Sequence, residues 1–281
     1  MKLLKSKVFG IAMGIVAFAG VGLAVGGAAM YGFNFSEIRD DLQRRGHFEH
    51  REIVPEGNIS RIQIDFRSHN VNVTVGDGFK MSLYEDSEFT RINSGVTEAG
   101  MWVINVYNRF RFTMISLPPS AAHNVINITV PSDFDGRIDV TGRSGNFTAN
   151  GLDVESLTVG MSSGNASVRN VNAGLLMVSS HSGNINMTGS RADVVLVEMR
   201  SGNVNMNLPL RESITVSNRS GNNNVTVTGT TASDNRVTMN VRSGNNRLNG
   251  VRVGNGTQTN GEGGVVSISN RSGNNNLSFV A

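Results

Sequence analysis

The sequence has no cysteine, few aromatic residues and little net charge, and each shortage excludes a class of protein. Because none of its 281 residues is cysteine, the chain can form no disulfide, thiolate metal site or lipid-modified cysteine anchor. Aromatic residues make up 6% of the chain while glycine occurs 33 times, a composition that favours a repetitive β structure over a globular enzyme. The formal net charge is +3, and the basic residues are not interleaved with aromatics, so we expect no nucleic-acid partner.

What the sequence does contain is one tripeptide, Ser-Gly-Asn, repeated at a constant interval. The residue number of its serine rises by 19 from copy to copy, and then by 23 and by 29 at the last two copies. The copies begin at Ser144, Ser163, Ser182, Ser201, Ser220, Ser243 and Ser272. A fixed interval of this size is typical of proteins built from stacked structural repeats.

Each repeat predicts a strand, a tight turn and a second strand. Aliphatic residues alternate with polar ones before the tripeptide, as around Val159 and Val178, and again after it, as at Ile185 and Met187. This period of two indicates a strand with one buried face. The alternative is a series of antiparallel hairpins, one in each repeat. The constant interval favours stacked coils, because hairpins tolerate connections of varying length. We therefore expect an all-β fold, a parallel β-solenoid of ~19-residue coils that lie about 4.8 Å apart.

The glycine and asparagine of the tripeptide are predicted to be structural. Glycine supplies a positive φ without steric cost and asparagine tolerates the left-handed region. Asparagine side chains that lie above one another can also form an amide ladder. In the regular copies, these turn and ladder residues are Gly145, Asn146, Gly164, Asn165, Gly183, Asn184, Gly202, Asn203, Gly221 and Asn222.

The residue before each of these serines is most often arginine, which gives the predicted stack a basic edge. Stacked arginines repel one another, so their side chains must turn into solvent or meet anions. Two interpretations stay open: a solvated basic edge, or a contact surface for an anionic cell-wall glycopolymer or phospholipid surface. The arginines of this edge are Arg143, Arg200, Arg219, Arg242 and Arg271, and Ser162 and His181 take the position in the remaining repeats.

The N-terminal segment, residues 1–35, predicts a membrane anchor. Three lysines precede an apolar stretch from residue 8 to residue 33, which is long enough to cross a hydrocarbon core of about 30 Å. A cleaved signal peptide is the alternative. Because lysines mark the cytoplasmic end, we expect a single-pass protein of the cell membrane with most of the chain outside the cell. Residues 36–58 predict a juxtamembrane helix and linker.

Residues 59–130 predict an irregular N-terminal β part, whose aromatics cap the regular repeats of residues 131–281. An aromatic platform for carbohydrate is the alternative. Ser68 begins a divergent copy of the tripeptide, and its number is lower than that of Ser144 by 76, which equals four intervals. Four irregular coils are therefore expected between them. The wider spacings near the end predict loops that bulge from a coil at residues 228–235 and 254–264. The strand-like final residues predict an open edge through which the chain self-associates.

Catalysis is not expected, and neither is a cofactor. A polysaccharide-cleaving β-helix needs two carboxylates that face one sugar, or a metal with a base. Asp153 and Glu155 form a local pair, but the carboxylates of the regular repeats are expected to form no column along the stack. We therefore expect a non-catalytic protein. The alternative is a carbohydrate-active β-helix enzyme that acts on a cell-wall or extracellular polysaccharide through Asp153 and Glu155.

From Arg61 to the C-terminus the sequence resembles the bacterial putative-adhesin domain family. The resemblance rests on residues 71–78 and 126–131 and on the recurrent pattern aliphatic-x-Val-x-x-x-Ser-Gly-Asn that follows them. It implies a β-solenoid domain of unknown function, exposed at the cell surface, with an adhesive or envelope-associated role and no catalytic residues. Similar proteins are often anchored by one N-terminal span and encoded beside cell-envelope stress sensors, which makes such sensors implied partners.

Overall fold

The computed structural model describes residues 49–85, 90–108 and 124–281. The anchor predicted for residues 1–35 and the juxtamembrane helix predicted after it lie outside these ranges. The described residues consist of strands, turns and connecting loops, so the prediction of an all-β fold is confirmed. No helix that is long and apolar enough to cross a membrane occurs in this part of the chain.

The strands are numbered in chain order. They are β1 Glu49–Ile53, β2 Arg61–Phe66, β3 Asn70–Gly76, β4 Lys80–Glu85, β5 Thr90–Val96, β6 Met101–Asn108, β7 Val125–Pro131, β8 Arg137–Gly142, β9 Phe147–Asn150, β10 Asp153–Ser163, β11 Ala166–Arg169, β12 Asn172–Thr188, β13 Arg191–Pro209, β14 Ser213–Ser220, β15 Asn223–Thr228, β16 Arg236–Ser243, β17 Asn246–Leu248, β18 Val251–Val253, β19 Gly256–Asn260, β20 Val265–Ser272 and β21 Asn275–Val280.

In the regular part of the stack, strands of successive coils pair in parallel with a constant offset of 19 in residue number. Leu157 of β10 lies beside Leu176 of β12, which lies beside Val195 of β13 and then Ile214 of β14. The strands that follow the turn keep the same offset. Stacked coils rather than successive hairpins are therefore confirmed, and the fold is β-solenoid-like.

The core of the stack consists of files of apolar side chains, with one residue from each coil. In the file of Val140, Val159, Val178 and Val197, no side chain is more than 2% exposed. Burying a side chain of this kind stabilises the fold by about 1.5–3 kcal/mol. Because alternate residues of each strand point to the opposite face, the outer surface of the same strands remains available for binding.

The N-terminal end of the stack does not follow chain order. Ile62 of β2 lies between Trp102 of β6 and Ile138 of β8, and β3 likewise lies between β7 and β9. The coil of β2 and β3 therefore stacks directly on the coil of β8 and β9, with an offset of 76 in residue number. The expectation of four intervening coils is wrong, because β4 to β7, which come between these coils in the sequence, pair at the end of the stack.

Antiparallel strands and aromatic side chains close this end. β5 pairs with β6, β4 with β7, and β1 with β4, all antiparallel. Strand β1 therefore occupies residues 49–53, for which a linker was predicted. Trp102 is fully buried, its indole N–H donates to Ser94 Oγ at 2.9 Å, and Phe79 packs edge-on at 6.2 Å between ring centroids. These aromatics lie where an end cap was predicted.

The C-terminal end uses the same topology. Val266 of β20 lies between Ile214 of β14 and Val237 of β16, and β21 lies between β15 and β17. The last coil of the sequence is thus second from the end in space, and both of its edges are paired. The final coil therefore lacks the open edge expected from the sequence, so self-association stays a prediction that would need another surface.

The wider tripeptide spacings are explained by this topology. From β15 the chain skips one coil position to form β16, and it then returns to form β20 in the skipped position. Ser220 and Ser272 are therefore neighbours. Their residue numbers differ by 52, which is the sum of the two wide spacings, 23 and 29. Residues 228–235 connect the two levels, whereas residues 254–264 contain β19, which pairs antiparallel with β16. The expected bulge at 254–264 is therefore an antiparallel cover for the outermost coil, to which β18 also contributes.

Candidate functional site

The tripeptide glycines form a file in which no other residue fits. Their φ values are positive, at 106° in Gly145 and 136° in Gly202. A Cβ atom on Gly164 would lie 1.6 Å from the carbonyl oxygen of Gly145, and one on Gly202 would lie 1.7 Å from that of Gly183. Both the backbone angle and the close approach of successive coils require glycine. The turn that precedes the asparagine is therefore nearly identical in every regular coil.

The tripeptide asparagines form a continuous ladder on the surface. The side-chain oxygen of each accepts two hydrogen bonds from the next, one from its backbone N–H and one from its amide Nδ2. For Asn146 and Asn165 these distances are 3.1 and 3.0 Å. In spatial order the ladder contains Asn70, Asn146, Asn165, Asn184, Asn203, Asn222, Asn274 and Asn245. Its amides bond mainly to one another, so the ladder rigidifies the stack.

Beside the ladder runs a file of exposed basic side chains, which we call the basic file. It consists of His181, Arg200, Arg219, Arg271 and Arg242 in spatial order, and all five residues are exposed. Their order follows from the serines that come next, which pair from coil to coil in the same sequence. The inserted C-terminal coil thus places Arg271 between Arg219 and Arg242. Successive guanidinium groups arise from backbones about 4.8 Å apart.

Arg143, the remaining predicted edge residue, lies apart from this file. The serines that follow it and Ser162 pair with successive coils, so the uncharged Ser162 lies between Arg143 and His181. On the other side of Arg143 the position is taken by Arg67, which stacks over Tyr107 with its Cζ 5.7 Å from the ring centroid. The structure therefore brings four of the five predicted arginines together and separates the fifth.

The basic file lines a surface groove of about 990 Å³ that extends over five coils. One wall is the basic file itself. Outward residues of the same strands add hydroxyls from Ser179, Ser217 and Ser269, and the nearly buried Asn218 and Asn270 form part of the floor. Glu198 is the one carboxylate among the residues that line it. The groove is therefore positively charged and polar.

Some arginines elsewhere in the stack are neutralised by the neighbouring coil, but those of the basic file are not. Ion pairs join Arg61 to Asp139 at 2.7 Å and Arg211 to Asp193 at 2.9 Å. Within residues 49–85, 90–108 and 124–281, the four arginine side chains of the basic file take part in no ion pair. The fold can place a carboxylate one coil away from an arginine, yet in the groove it leaves the guanidinium groups free for an external anion.

Beneath the groove lies a buried amide network, which the sequence reasoning missed. Asn223, Asn275 and Asn246 occupy an inward file that holds apolar residues in the other coils, and each is at most 1% exposed. The amide of Asn223 donates to Asn275 at 2.8 Å, and that of Asn275 donates to Asn246 at 2.8 Å. A visible signal was the heptapeptide Asn-Arg-Ser-Gly-Asn-Asn-Asn, which begins at both Asn218 and Asn270.

The candidate catalytic pair is engaged in contacts between coils. Arg137 binds Glu155 through two hydrogen bonds of 2.8 and 2.6 Å, and these bonds hold the pKa of Glu155 below its usual value. Asp153 accepts from Asn172 at 3.0 Å. Neither residue lines the groove, and no group of three or more metal-ligating side chains occurs among the described residues.

The carboxylates nevertheless share a file, contrary to expectation. Glu155, Asp193 and Glu212 each stand eight positions before the serine of their repeat, and the backbone N–H of Glu212 donates to the carbonyl of Asp193 at 3.1 Å. Gly174 occupies the level between Glu155 and Asp193. Since Glu155 and Asp193 are each paired with an arginine, this file is best explained by charge pairing between coils.

Comparison with known families gives one match. Residues 59–208, more than half of the chain, match the family model described as Toastrack DUF4097. No curated protein sequence matches the chain. The matched residues cover the N-terminal end of the stack and the regular coils up to β13.

Several solved structures are similar to the chain at low identity. A putative adhesin from Bacteroides fragilis is 13% identical, with a TM-score of 0.48 over 83% of this chain and 97% of its own. A putative cell adhesion protein from Clostridium sporogenes is 13% identical, with a TM-score of 0.43 over 83% and 99%. A putative lipid binding protein from Parabacteroides distasonis is 14% identical, with a TM-score of 0.43 over 82% and 97%.

Proposed function

The chain belongs to the Toastrack DUF4097 family, and from this premise we propose that it is an adhesin-like binding protein of the cell envelope. In this proposal the chain holds an anionic envelope surface along its basic file, and it does so without catalysis. The single observation that carries the proposal is the file of exposed arginines that no carboxylate of the described residues neutralises.

The free arginines are unfavourable for the isolated protein. Two unit charges about 4.8 Å apart repel by about 0.9 kcal/mol even in water. Side chains that splay apart reduce this repulsion, but an alternation of arginine and glutamate along the file would remove it, and the chain uses such pairing elsewhere, between Arg137 and Glu155. A row of cations that is retained at a cost to stability is best explained by an anionic partner.

The location of the protein is part of the proposal. The apolar stretch within residues 1–35 would anchor the chain in the cell membrane by a single span, and the three lysines before it would stay in the cytoplasm. The stack would then lie outside the cell, where anionic polymers and lipid headgroups are present. A cell-envelope stress sensor that reads the occupied groove is a fitting partner for a protein of this kind.

The absence of catalysis is also proposed. The alternative enzyme would need Asp153 or Glu155 as its general acid, and a general acid needs a pKa raised towards neutrality. The bidentate bond from Arg137 moves the pKa of Glu155 the other way. Asp153 and Glu155 are both exposed and lie outside the groove. These contacts favour a structural ion pair over a catalytic pair.

The test compares anionic with neutral surfaces. The full-length chain in neutral detergent should be retained by purified anionic wall polymer or by anionic vesicles, but not by zwitterionic vesicles, and retention should fall as salt is raised. The variant Arg200→Gln/Arg219→Gln should lose most of the retention. Equal retention on neutral and anionic surfaces would contradict the proposed function.

A further inference from the structure

We propose that the groove binds one linear polyphosphodiester, such as a polyglycerol phosphate, laid along the stacking direction with its phosphates against the basic file. This inference rests on the proposed function and names the chemistry of the ligand. It draws on four features of the groove: its dimensions, the chemistry of its lining, the fixed backbone of its basic file, and the topology that makes it continuous.

The dimensions of the groove suit a single slender chain. Five coils separated by four steps of about 4.8 Å give a groove about 19 Å long. Dividing its volume of about 990 Å³ by this length leaves a mean cross-section of roughly 50 Å². One extended polymer without bulky side groups fills such a section. A bilayer surface is flat and would meet the rims of the groove, leaving its recessed floor unoccupied.

The lining of the groove suits phosphate. The guanidinium fork of arginine matches two phosphate oxygens, and such charge-assisted pairs are the stronger kind of hydrogen bond. Ser217 and Ser269 each lie two positions before the arginine of their coil and add neutral hydroxyl groups to the same groove. Glu198 lies between Ser179 and Ser217 in the file of these serines, where it disfavours a ligand with anionic groups across its full width.

The basic file is held in place before any ligand arrives. The amide of Asn218 donates to the carbonyl of Gly202 at 3.1 Å, and that of Asn270 donates to the carbonyl of Gly221 at 2.7 Å. Their side-chain oxygens accept from the backbone N–H groups of Ser220 and Ser272. These bonds fix the chain immediately on both sides of Arg219 and Arg271, so the ligand need not order the backbone, which favours affinity.

The inserted C-terminal coil makes the groove continuous. Arg219 and Arg242 belong to consecutive tripeptides in the sequence, yet Arg271 lies between them in space. Without this coil, one coil position between Arg219 and Arg242 would lack a basic side chain. The unusual end of the stack therefore serves two purposes: it pairs the edges of the last coil, and it completes a row with one basic side chain per coil from His181 to Arg242.

The experiment uses the full-length chain in neutral detergent and an end-labelled polyglycerol phosphate, with fluorescence anisotropy as the measurement. The groove variant is Arg200→Gln/Arg219→Gln/Arg271→Gln. Its matched control, Arg169→Gln/Arg236→Gln/Arg252→Gln, removes the same charge from exposed sites outside the groove. We expect the control to bind within threefold of the parent and the groove variant at least thirtyfold more weakly. The slope of log Kd against log salt should fall by roughly two to three.

A second groove variant keeps the positive charges but removes the planar guanidinium groups. Arg200→Lys/Arg219→Lys/Arg271→Lys should bind with an intermediate loss, because lysine cannot bind two phosphate oxygens in one plane. No variant should unfold at a lower temperature than the parent, since none of the replaced side chains has an ion-pair partner among the described residues. Equal losses in the groove variant and in its control would overturn the site.

Further probes separate this inference from the proposed function. If polygalacturonate or anionic vesicles bind through the same arginines and as tightly as the polyglycerol phosphate, the ligand class is wrong while the proposed function stands. If monomeric glycerol phosphate competes at concentrations equal to those of the polymer repeat unit, the linear arrangement is wrong. If none of the anionic probes binds, both proposals fail.

Discussion

The regular coils of residues 137–209 and the C-terminal coils of residues 213–280 share a turn and a register, but they differ in the residues that point into the core. At one inward position, the regular coils place Ala166, Ile185 and Val204, while the C-terminal coils place Asn223 and Asn275. The regular coils are held by apolar burial, which does not depend on orientation. The C-terminal coils add directional hydrogen bonds, which fix the backbone beneath the groove.

The start of a coil and the position before the turn also treat their arginines differently. Arg137 and Arg211 begin coils in which a carboxylate lies one level away, and both form ion pairs. Arg219 and Arg271 are exposed as well, but they have no such partner in the described chain. The difference teaches that one repeat framework can separate stability from binding. The inner files determine stability, and the outer position before the turn can be devoted to charge.

The largest effect is expected at the feature that both regions share. In Gly202→Val the new Cβ would lie 1.7 Å from the carbonyl oxygen of Gly183 at a φ of 136°, and in Gly273→Val it would lie 1.9 Å from that of Gly221 at a φ of 128°. We expect each variant to lose at least roughly 5 kcal/mol or fail to fold, as measured by urea unfolding and soluble yield.

The control for these variants is Gly229→Ala, since Gly229 has a φ of 77° and a Cβ added there would have no atom within 4 Å. Backbone strain alone should cost this variant about 1 kcal/mol. A loss in Gly202→Val or Gly273→Val no larger than that of Gly229→Ala would refute the requirement for close contact between successive turns.

The next effect distinguishes the two regions. Asn275→Val should cost about 4 kcal/mol, because Asn223 Nδ2 loses its acceptor and Asn246 Oδ1 loses a donor, both at buried sites. Replacing Asn223, Asn246 and Asn275 together by valine should recover much of this loss, since apolar residues already fill the file elsewhere. Urea unfolding measures both. Additive losses in the triple variant would show that the amides are not a connected network.

The pH dependence of stability is expected to come from the N-terminal end. His69 occupies the glycine position of a divergent turn, is buried, and its Nδ1 has no partner in the described structure. Burial lowers the pKa of His69 from 6.5 to about 4, so the folded chain favours neutral imidazole. Stability is then complete above pH ~6.5, falls as the pH drops towards 4, and is about 3 kcal/mol lower below that.

The measurement is urea unfolding between pH 7 and pH 4. The variant His69→Gln should flatten the profile in this window, whereas His181→Gln, which changes an exposed histidine, should leave it as in the parent. If His181→Gln flattens the profile instead, the buried imidazole is not responsible. The expected result would show that the acid sensitivity belongs to the coil of β2 and β3 and not to the amide network.

Much of the fold could be predicted from the constant tripeptide interval, because stacking in register is the one arrangement that keeps such a period. The order of the coils could not. Ile62 pairs with Ile138 at an offset of 76, and Ile214 pairs with Val266 at an offset of 52. Both offsets are equally compatible with coils stacked in sequence order, because a period shows which residues of two coils align but not which coils are neighbours. Level order is decided by the need to pair the end strands.

The candidate site was predictable in part for the same reason. The arginine position was visible, since each copy stands before a serine. The continuity of Arg219, Arg271 and Arg242 was not, because it depends on level order. The amide network was missed because asparagine at an inward position contradicts binary patterning; the recurrence of identical residues at 218–224 and 270–276 was the available signal.

The smallest effect is expected for a hydrogen-bonded asparagine that is exposed, and it separates the contribution of burial to stability from that of hydrogen bonding. Asn165, an exposed member of the surface ladder, accepts from the backbone N–H and Nδ2 of Asn184 at 3.0 and 3.1 Å and donates to Asn146 at 3.0 Å. In Asn165→Ala, water can replace the lost partners, so we expect a loss of about 1 kcal/mol in urea unfolding, a fraction of that for the buried Asn275→Val. Asn165→Asp keeps the acceptor for both donors of Asn184 and should lose less than alanine at neutral pH. Because Asn165 and Asn275 make similar amide contacts, a loss in Asn165→Ala as large as in Asn275→Val would mean that burial does not distinguish the ladder from the network.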